Sequence, residues 1–555
     1  MKRFCKVFAL FLAALILVTM ATACKKSEDD ALNSVLNGGG TTINNDISND
    51  AGNRNEGDDV TEPGNADGTI TEESNVAGNT SSGTSGNQSQ DDVVNNFDGT
   101  QKYDMASNPL LAQSKPKNTG TAPSFDIDTT GFVKNGIKVS DLKGKTLTLL
   151  TSLESGFFFY YGPNGEMLDE WDWFKSMKKT YGLNLKYIES RFDKAPTQCV
   201  TYMNAGKALD IIPTHRAGFP QYFMLTRALD PYVNMQYVNN SPGVDNRTLE
   251  QTKWDNTYRC ISPIGAVDLI WYNETMVNSL GLQDPHTLWQ QGKWDWSAFE
   301  TFQKSVPLKT PDGKSLTGFA GSMPDLINFW PRTNGVSVFD IKTDGGKTQL
   351  VHNFKDSRSQ NAMLFVANTC KANDWIGRRS SEDPQTDMYT NGTCIMATTL
   401  HLMGEWSNSD YAKNQEYNWV PYPKGTDAGA ENICMNYGAT MTLPKKTKSE
   451  ANIPYAVKFM ELWANRFTEA IFDYLDQKCY NFSYEERKEY FVFATQHNYF
   501  ENGASVFDVL TGSEGEYFKQ FRWSFYNPNY NTSTCLEQVN NIVDKAVAKC
   551  NEFGT

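Results

Sequence analysis

The chain has 555 residues, which is too long for a single hydrophobic core, so we expect two or more domains. Its formal net charge of -14 and its pI near 5.0 argue against a nucleic-acid partner, because binding to phosphates needs a basic surface.

Residues 1–24 have the layout of an export signal: a basic start, an apolar segment from Val7 to Met20, and small residues before Cys24. The apolar segment is shorter than the ~20 residues that a permanent membrane-spanning helix needs, so we predict that residues 1–23 are cleaved. Because a cysteine follows, the segment resembles a bacterial lipoprotein signal. This resemblance implies a lipid on the Cys24 thiol and anchoring at the extracellular face of the cell membrane. Ala21 stands where leucine is usual, and an ordinary secretory signal is the alternative.

Residues 24–124 are dominated by asparagine, aspartate, glycine, serine and threonine, with almost no aromatic side chains. Such a composition buries too little apolar surface to offset chain entropy, so we predict a disordered tether. As flexible coil, ~95 residues span roughly 55 Å. The tether would hold the following globular part, residues 125–555, away from a membrane.

The globular part opens with alternating strand and helix patterns. Leucine and threonine in the first segment indicate a strand, and apolar side chains on one face indicate the helix that follows. The predicted elements are, in order, strand 143–151, helix 167–181, strand 183–188, helix 199–205 and strand 208–213. This alternation is typical of a parallel sheet covered by helices.

Gly265 to Glu300 carries the clearest pattern in the chain. The apolar run Ala266 to Tyr272 predicts a central strand buried on both faces, and Asn273 to Leu280 predicts a short helix. Ser297 and Glu300 have the spacing of a capping box, so we expect a second helix to begin there.

This stretch resembles the middle of bacterial family 1 extracellular solute-binding proteins, the capture components of ABC importers. The similarity consists of a strand, Tyr272-Asn273, a short helix, Gly-Leu, Asp-Pro, and Leu288-Trp-x-x-Gly-Lys-Trp-x-Trp-x-x-Phe. Other segments similar to that family are residues 208–213, 229–233, 329–340, 391–406, 418–423, 436–444 and 453–463. Ile395 departs from the alanine that is usual in the family. Residues 467–555 match nothing specific, and their pattern predicts helices with loops.

The resemblance implies an α/β fold of the periplasmic-binding-protein type II kind. In that fold, two lobes interleaved in sequence are joined by crossing hinge strands, here near residues 261–272. A ligand would bind in the cleft between the lobes.

Aromatic side chains make up 13% of the residues, and several follow predicted strands, where open parallel sheets bind ligands. Sugars pack their C–H faces on flat rings while their hydroxyls need hydrogen-bond partners, so a sugar site combines aromatic with carboxylate and amide side chains. On this basis and on the resemblance, we expect ligand contacts from Glu154, Tyr160, His215, Arg216, Trp330, Trp406 and Tyr437. The alternative for each is a packing role.

No catalytic, metal-binding or cofactor-binding motif is evident. The five histidines lack ligand spacing, and Gly313-Lys-Ser and Gly346-Lys-Thr lack the earlier glycine of a phosphate-binding loop, so both are predicted turns. Acidic residues are numerous, so the two carboxylates of a glycosidase are not excluded. We expect no metal and no cofactor.

Eight cysteines remain when Cys5 and Cys24 are set aside, and no pair has Cys-x-x-Cys spacing. An exported protein with an even number of cysteines can form disulfides. The candidate pairs are Cys535 with Cys550 and Cys370 with Cys394, and free thiols are the alternative.

The resemblance, together with these observations, implies a lipid-anchored solute-binding protein of an ABC importer that is not an enzyme. A sugar, with an oligosaccharide favoured, would bind in the cleft, and the lobes would close by hinge bending and meet a membrane permease. Two other classes stay open: an exported carbohydrate-active enzyme, and a surface glycan-binding or sensor protein.

Overall fold

The structure, a computed structural model, describes two residues near the N-terminus and most of the chain from residue 126 onwards. The described residues are 94–95, 126–129, 131–151, 160–161, 167–168, 170–189, 195–214, 219, 221–234, 241, 243–264, 267–321, 323–373, 388, 391–400, 411–436, 440–478, 484–500, 503, 506, 521, 524–525, 527 and 529–552. The predicted signal sequence, Cys24 and all of the predicted tether except Val94–Asn95 lie outside these ranges.

The strands are β1 (Val94–Asn95), β2 (Thr146–Thr151), β3 (Tyr160–Tyr161), β4 (Met167–Leu168), β5 (Asn184–Glu189), β6 (Ile212–Thr214), β7 (Cys260–Ile261), β8 (Val267–Asn273), β9 (Thr317–Ala320), β10 (Phe339–Asp344), β11 (Lys347–His352), β12 (Cys394–Leu400), β13 (Tyr417–Val420), β14 (Cys434–Asn436), β15 (Thr440–Thr442) and β16 (Asn498–Phe500). The helices are α1 (Glu170–Tyr181), α2 (Ala195–Asn204), α3 (Gln221–Leu225), α4 (Asn246–Gln251), α5 (Glu274–Ser279), α6 (Pro285–Gln290), α7 (Trp296–Ser305), α8 (Met323–Thr333), α9 (Ser357–Asn373), α10 (Ile453–Lys478), α11 (Tyr484–Gln496) and α12 (Thr532–Glu552). Strands and helices alternate through most of this order.

Lobe 1 is built around the parallel strands β2 and β5, with β1 on the other side of β5. β6, β15 and β7 form a second, antiparallel sheet. This sheet continues from β2, because the Leu150 N–H donates to the Ile211 carbonyl at 3.1 Å. The predicted order of strand, helix, strand, helix and strand is confirmed with two differences. Met167–Leu168, predicted as the start of the first helix, form β4 and pair with β3, and the third strand is Ile212–Thr214.

Lobe 2 is built around a six-stranded sheet of order β16-β14-β8-β12-β9, in which β13 also pairs with β8. Every residue of the central strand β8 is buried, as predicted for a strand covered on both faces. Asn273 then caps α5, because its Oδ1 accepts a hydrogen bond from the Met276 N–H at 2.9 Å. The predicted central strand and the helix after it are confirmed.

Hydrophobic clusters cover these sheets. One cluster extends from Leu149 in lobe 1, through α10, to Trp271 on one face of β8. A second cluster contains Tyr272, the next residue of β8, together with Trp294, because successive side chains of a strand point to opposite faces. The core of lobe 2 therefore lies on both sides of its central strand.

The predicted capping box at Ser297 is wrong, although the helix is present. α7 begins at Trp296, and its N-cap is Asp295, whose Oδ1 accepts from the Ala298 N–H at 2.9 Å. Glu300 pairs instead with Lys304 at 2.9 Å on the helix surface. A carboxylate at the N-cap satisfies a free amide and complements the helix dipole, so the Ser297 hydroxyl has no capping role.

The candidate disulfides are also wrong. The described cysteines are free and buried, namely Cys199, Cys260, Cys370, Cys394, Cys434, Cys535 and Cys550. Cys535 and Cys550 lie on the same helix, α12, where fifteen residues span ~22 Å, whereas a disulfide joins Cα atoms within about 7 Å. Burial raises the pKa of the Cys260 and Cys550 thiols to about 12, so these thiols stay protonated and unreactive.

The C-terminal residues contribute to the core of lobe 2 as the predicted helices, and also as a strand that was not predicted. β16 extends the lobe 2 sheet by pairing parallel to β14. At the end of α12, the Asn551 side chain donates to and accepts from the Leu350 backbone, both at 2.8 Å. The last helix is thereby fixed to the β10–β11 hairpin.

Candidate functional site

The chain passes between the lobes twice through short segments and a third time between α10 in lobe 1 and β16 in lobe 2. It leaves lobe 1 at Ile261, the end of β7, and enters lobe 2 at Val267, the start of β8. It leaves lobe 2 at Asn436, the end of β14, and returns to lobe 1 at Thr440, the start of β15. We call the sheet edges at which these four residues lie the crossing edge.

In lobe 1, β2, β5, β6 and β7 all end at the crossing edge. β6 and β7 run antiparallel to β15, and Thr440 lies opposite Thr214, the last residue of β6. The hydroxyls of these two threonines are hydrogen-bonded to each other. β2 runs parallel to β5 and forms a parallel bridge between Leu149 and Ile211, so its carboxyl end lies at the same edge.

In lobe 2, β9, β12, β14 and β16 end at the crossing edge. β12 and β14 are antiparallel to β8, with Leu400 opposite Asp268 and Asn436 opposite Val267. β9 is parallel to β12, and β16 is parallel to β14. Both lobes therefore direct the carboxyl ends of several strands towards the two crossings, which is where open α/β sheets bind ligands.

Five of the predicted ligand-binding residues lie outside the described residues, each after a strand that ends at the crossing edge. They are Glu154 after β2, His215 and Arg216 after β6, Trp406 after β12 and Tyr437 after β14. Only the backbone of Tyr160 is described, in β3, where it pairs with Leu168. Ligand contact by these six residues stays a prediction.

Trp330 is a core residue. Its side chain has no exposed surface, and its ring packs against those of Phe299, Phe319 and Tyr422 at centroid distances of 5.5, 6.0 and 5.7 Å. This burial contradicts the prediction that Trp330 contacts a ligand. The residue lies near the Asn334-Gly335 turn in sequence, but it sits on the apolar face of α8 that is turned into lobe 2.

A buried polar network at the crossing edge was not predicted. Asp245 caps α4 by accepting from the Thr248 N–H at 3.1 Å, and its Oδ2 also accepts from the Thr248 hydroxyl at 2.8 Å. The Asn436 amide donates to the same Oδ2 at 3.0 Å and lies 3.1 Å from the Ser262 hydroxyl, and the Asn498 amide donates to Asp245 as well. The network thus joins both crossings to α4 and β16.

The Asp245 carboxyl has an elevated pKa. Its complete burial raises the pKa to about 6, although the hydrogen bonds from Thr248, Asn436 and Asn498 lower it in part. The spacing of Asp245 and Thr248 is a local N-cap signal that the sequence does contain. The convergence of Asn436 and Asn498 on this carboxyl has no local signal, because these residues are distant in sequence.

Comparison with known proteins adds the fold class. No family model and no curated protein matches the sequence. Solved structures do match in fold. An ABC substrate-binding protein from Listeria monocytogenes in complex with cycloalternan is 14% identical, with 73% of this chain and 99% of that chain covered and a TM-score of 0.50.

Two further structures give the same result. An ABC transporter solute-binding protein from Thermotoga lettingae bound with alpha-D-tagatose is 14% identical over 73% of this chain and 100% of that chain, with a TM-score of 0.50. A sugar transporter from Rhizobium etli in an open conformation is 12% identical over 72% and 99%, with a TM-score of 0.51. This chain therefore has the two-lobed α/β fold of ABC solute-binding proteins, and the predicted fold class is confirmed.

Two kinds of structural feature are absent from the described residues. Within the described ranges, no helix combines the length and the apolar character needed to cross a membrane. In that same part of the chain, no group of three or more histidine, cysteine, aspartate or glutamate side chains is arranged to hold a metal ion.

Proposed function

We propose that this chain is the extracellular solute-binding lipoprotein of an ABC importer, and that it captures a sugar, with an oligosaccharide favoured, between its lobes. The observation that carries the proposal is the convergence of strand ends from both lobes on the crossing edge, in a fold shared with ABC solute-binding proteins. Two of the solved structures compared above hold carbohydrates, namely cycloalternan and alpha-D-tagatose.

The proposed mechanism is reversible capture without a covalent step. Glu154, His215 and Arg216 would bind hydroxyls from lobe 1, and the Trp406 ring would stack on a sugar face from lobe 2. Tyr437 would contact the ligand from a crossing. A ligand shifts the equilibrium between open and closed forms only through contacts that differ between them, so contacts from both lobes are required for closure.

The proposal extends to the membrane. A lipid on Cys24 would anchor the chain at the extracellular face, and the 24–124 tether would let the closed form reach its permease. Labelling of the chain with a fatty-acid analogue in a bacterial host tests the anchor. Incorporation should be lost in Cys24→Ala, and retained label in that variant would contradict lipidation at this thiol.

A thermal-shift panel of glycans, peptides and polyamines tests the ligand class. A ligand at ~100 times its dissociation constant adds about 2.7 kcal/mol to the free energy of unfolding, so a glycan that binds should raise Tm measurably. A response to peptides or polyamines with none to any glycan would overturn the sugar assignment.

Trp406→Ala tests the predicted stacking contact. Loss of the ring should weaken glycan binding by about 1 kcal/mol or more, as measured by isothermal titration calorimetry, with the Tm of the free protein unchanged. The matched control is Leu308→Ala, which removes an exposed side chain that lies before β9 and thus away from the crossing edge. Equal glycan affinity in both variants would remove Trp406 from the site.

The two alternatives give different outcomes. A carbohydrate-active enzyme would produce new reducing ends on incubation with the bound glycan, whereas a binding protein returns the glycan unchanged. A surface sensor would bind the same glycan but would not restore uptake when supplied with the importer's permease.

A further inference from the structure

A polar pocket of about 400 Å³ lies in lobe 2, between the end of α8, the β10–β11 hairpin and β16. Its lining includes Arg332, Lys342, Arg358, Asp340, Asp356 and Asn353. None of the residues that line the pocket is a predicted ligand-binding residue or one of the four residues that define the crossing edge.

Arg332 is held rigidly at the wall of this pocket. Its guanidinium lies 3.6 Å from the centroid of the Tyr499 ring, and its Nη2 donates to Glu431 Oε1 at 2.6 Å. The Tyr499 hydroxyl donates to the same oxygen at 2.6 Å. The cation is thus positioned by an aromatic ring and a carboxylate before any ligand arrives, which lowers the entropic cost of binding.

The positive charge at Arg332 is only partly compensated. Glu431 also pairs with Arg247 at 3.6 Å, so one carboxylate serves two guanidinium groups. Among the described residues, the buried Arg332 Nε has no hydrogen-bond partner. Burial, together with the neighbouring cations Arg247 and Arg358, lowers the pKa of Arg332 to about 10.

The remaining charges leave the pocket with an excess of positive charge. Arg358 and Asp356 form an ion pair at 2.7 Å and largely neutralise each other. Lys342 is exposed, and its ammonium interacts electrostatically with Asp340 and Asp356. Asp340 is the carboxylate that faces both Lys342 and Arg332, and burial raises its pKa. An anion bound between Arg332 and Lys342 would neutralise this excess positive charge.

We propose that this pocket is a second ligand site, and that it binds a small hydroxylated carboxylate of the uronic-acid class. The carboxylate would lie between Arg332 and Lys342, and the hydroxyls would face Asp340 and Asn353. The pocket volume is within the range of small-molecule sites and accommodates a monosaccharide. The site is independent of the sugar cleft proposed above.

Calorimetric titration of the full chain with D-galacturonate and with D-galactose tests this site. These two sugars differ only at C6, which is a carboxylate in galacturonate and a hydroxymethyl group in galactose. We therefore expect galacturonate to bind and galactose to give no heat at this pocket. Lys342→Gln should weaken galacturonate binding at least fivefold without affecting folding, because this side chain is exposed. Lys347→Gln is the matched control, since Lys347 lies on the same hairpin and is exposed but does not line the pocket.

The outcomes separate the two sites. The proposal is supported if Lys342→Gln reduces the affinity for galacturonate and Lys347→Gln does not. Both variants should keep the glycan response of the cleft. Absence of galacturonate binding, or equal galacturonate affinity in wild type and Lys342→Gln, overturns it whatever the cleft binds.

Discussion

At the scale of single residues, Asp245 links stability to pH. The carboxyl is fully buried, Cys260 and Cys434 are among the ionisable groups that interact with it, and its pKa is raised from 3.8 to about 6. A group that binds protons more tightly when folded stabilises the fold at low pH. This contribution is lost as pH rises through about 6.

Asp245→Asn tests that linkage. One pKa unit corresponds to about 1.4 kcal/mol, so ionisation of Asp245 should cost the wild type roughly 3 kcal/mol of unfolding free energy between pH 4 and pH 7. The variant should lack this part of the pH dependence in urea denaturation. Asp255→Asn, which changes an exposed carboxylate, should behave like wild type. The same pH dependence in Asp245→Asn would contradict the assignment.

Gly335 lies just after the end of α8. Its φ is +84°, and a Cβ atom there would lie 2.6 Å from the Ala428 carbonyl oxygen. Gly313 has a similar φ of +87°, but a Cβ atom there would have no neighbour within 4 Å. The two glycines share a backbone requirement and differ in the space around them.

Gly335→Ala and Gly313→Ala therefore form a matched pair. Gly313→Ala should lower the free energy of unfolding by roughly 1 to 2 kcal/mol, the cost of a left-handed backbone for a residue with a Cβ atom. Gly335→Ala should cost roughly 1 to 3 kcal/mol more, because backbone must also move. If denaturant titrations gave equal losses of unfolding free energy for the two variants, the loop around Ala428 would move aside without an energetic cost.

At the scale of elements, α10 carries a buried ion pair. Lys458 and Glu461 are 2% and 0% exposed, and their Nζ and Oε2 atoms are 3.0 Å apart. The Lys458 ammonium also donates to the Ile127 carbonyl at 3.1 Å and lies 3.9 Å from Asp128. The helix thereby holds the first described segment of the globular part against lobe 1.

Removal of one partner should cost more than removal of both. Glu461→Gln leaves a buried ammonium without its carboxylate and should lower the free energy of unfolding by roughly 3 to 5 kcal/mol. The double variant Lys458→Met with Glu461→Leu should lose less, because neither charge is then buried. Urea denaturation of the single and double variants measures both values. A double variant less stable than Glu461→Gln would show that the pair stabilises the fold on balance.

β16 shows how a sheet edge is closed by a side chain. The Gln251 amide donates to the Asn498 carbonyl at 3.0 Å, and its oxygen accepts from the Phe500 N–H at 2.5 Å. These bonds imitate those of a neighbouring strand, so the outer edge of the lobe 2 sheet is not left open to another chain. They also join α4 to lobe 2 beside the crossing edge.

At the scale of the whole molecule, the two short crossings form the hinge of the proposed clamshell together with α11, which leads from α10 in lobe 1 to β16 in lobe 2. The short segments 262–266 and 437–439 connect the lobe sheets. Hinge motion concentrates backbone changes in a few residues at the ends of elements. Ligand contacts with both lobes would therefore favour the closed form, and closure would shorten the distance between the lobes.

Paired spin labels test closure. Labels on Lys178→Cys in α1 and Lys304→Cys in α7 occupy exposed positions in different lobes, and pulsed EPR should show a shorter distance when a bound glycan is added. Labels on Lys304→Cys and Lys347→Cys lie within lobe 2 and should keep their distance. The chain without introduced cysteines is the control for labelling of its native cysteines. An unchanged distance between lobes at saturating glycan would contradict the hinge mechanism.

The sequence by itself determined the alternation of strands and helices at the start of the globular part and, through resemblance, the α/β fold. Strand β8 could be predicted because its buried residues leave an apolar run that only Asp268 interrupts before Asn273. The positions after strand ends could be marked as candidates because ligands bind at such positions in open sheets.

Only the tertiary structure decided which strand ends share the crossing edge, that Trp330 belongs to the core, and that Asn436 and Asn498 converge on Asp245. It also assembled the pocket of Arg332 and Lys342. Periodicity and turn residues report the conformation of neighbouring residues, whereas these arrangements depend on contacts between residues far apart in the chain. Such contacts leave no local signal in a single sequence.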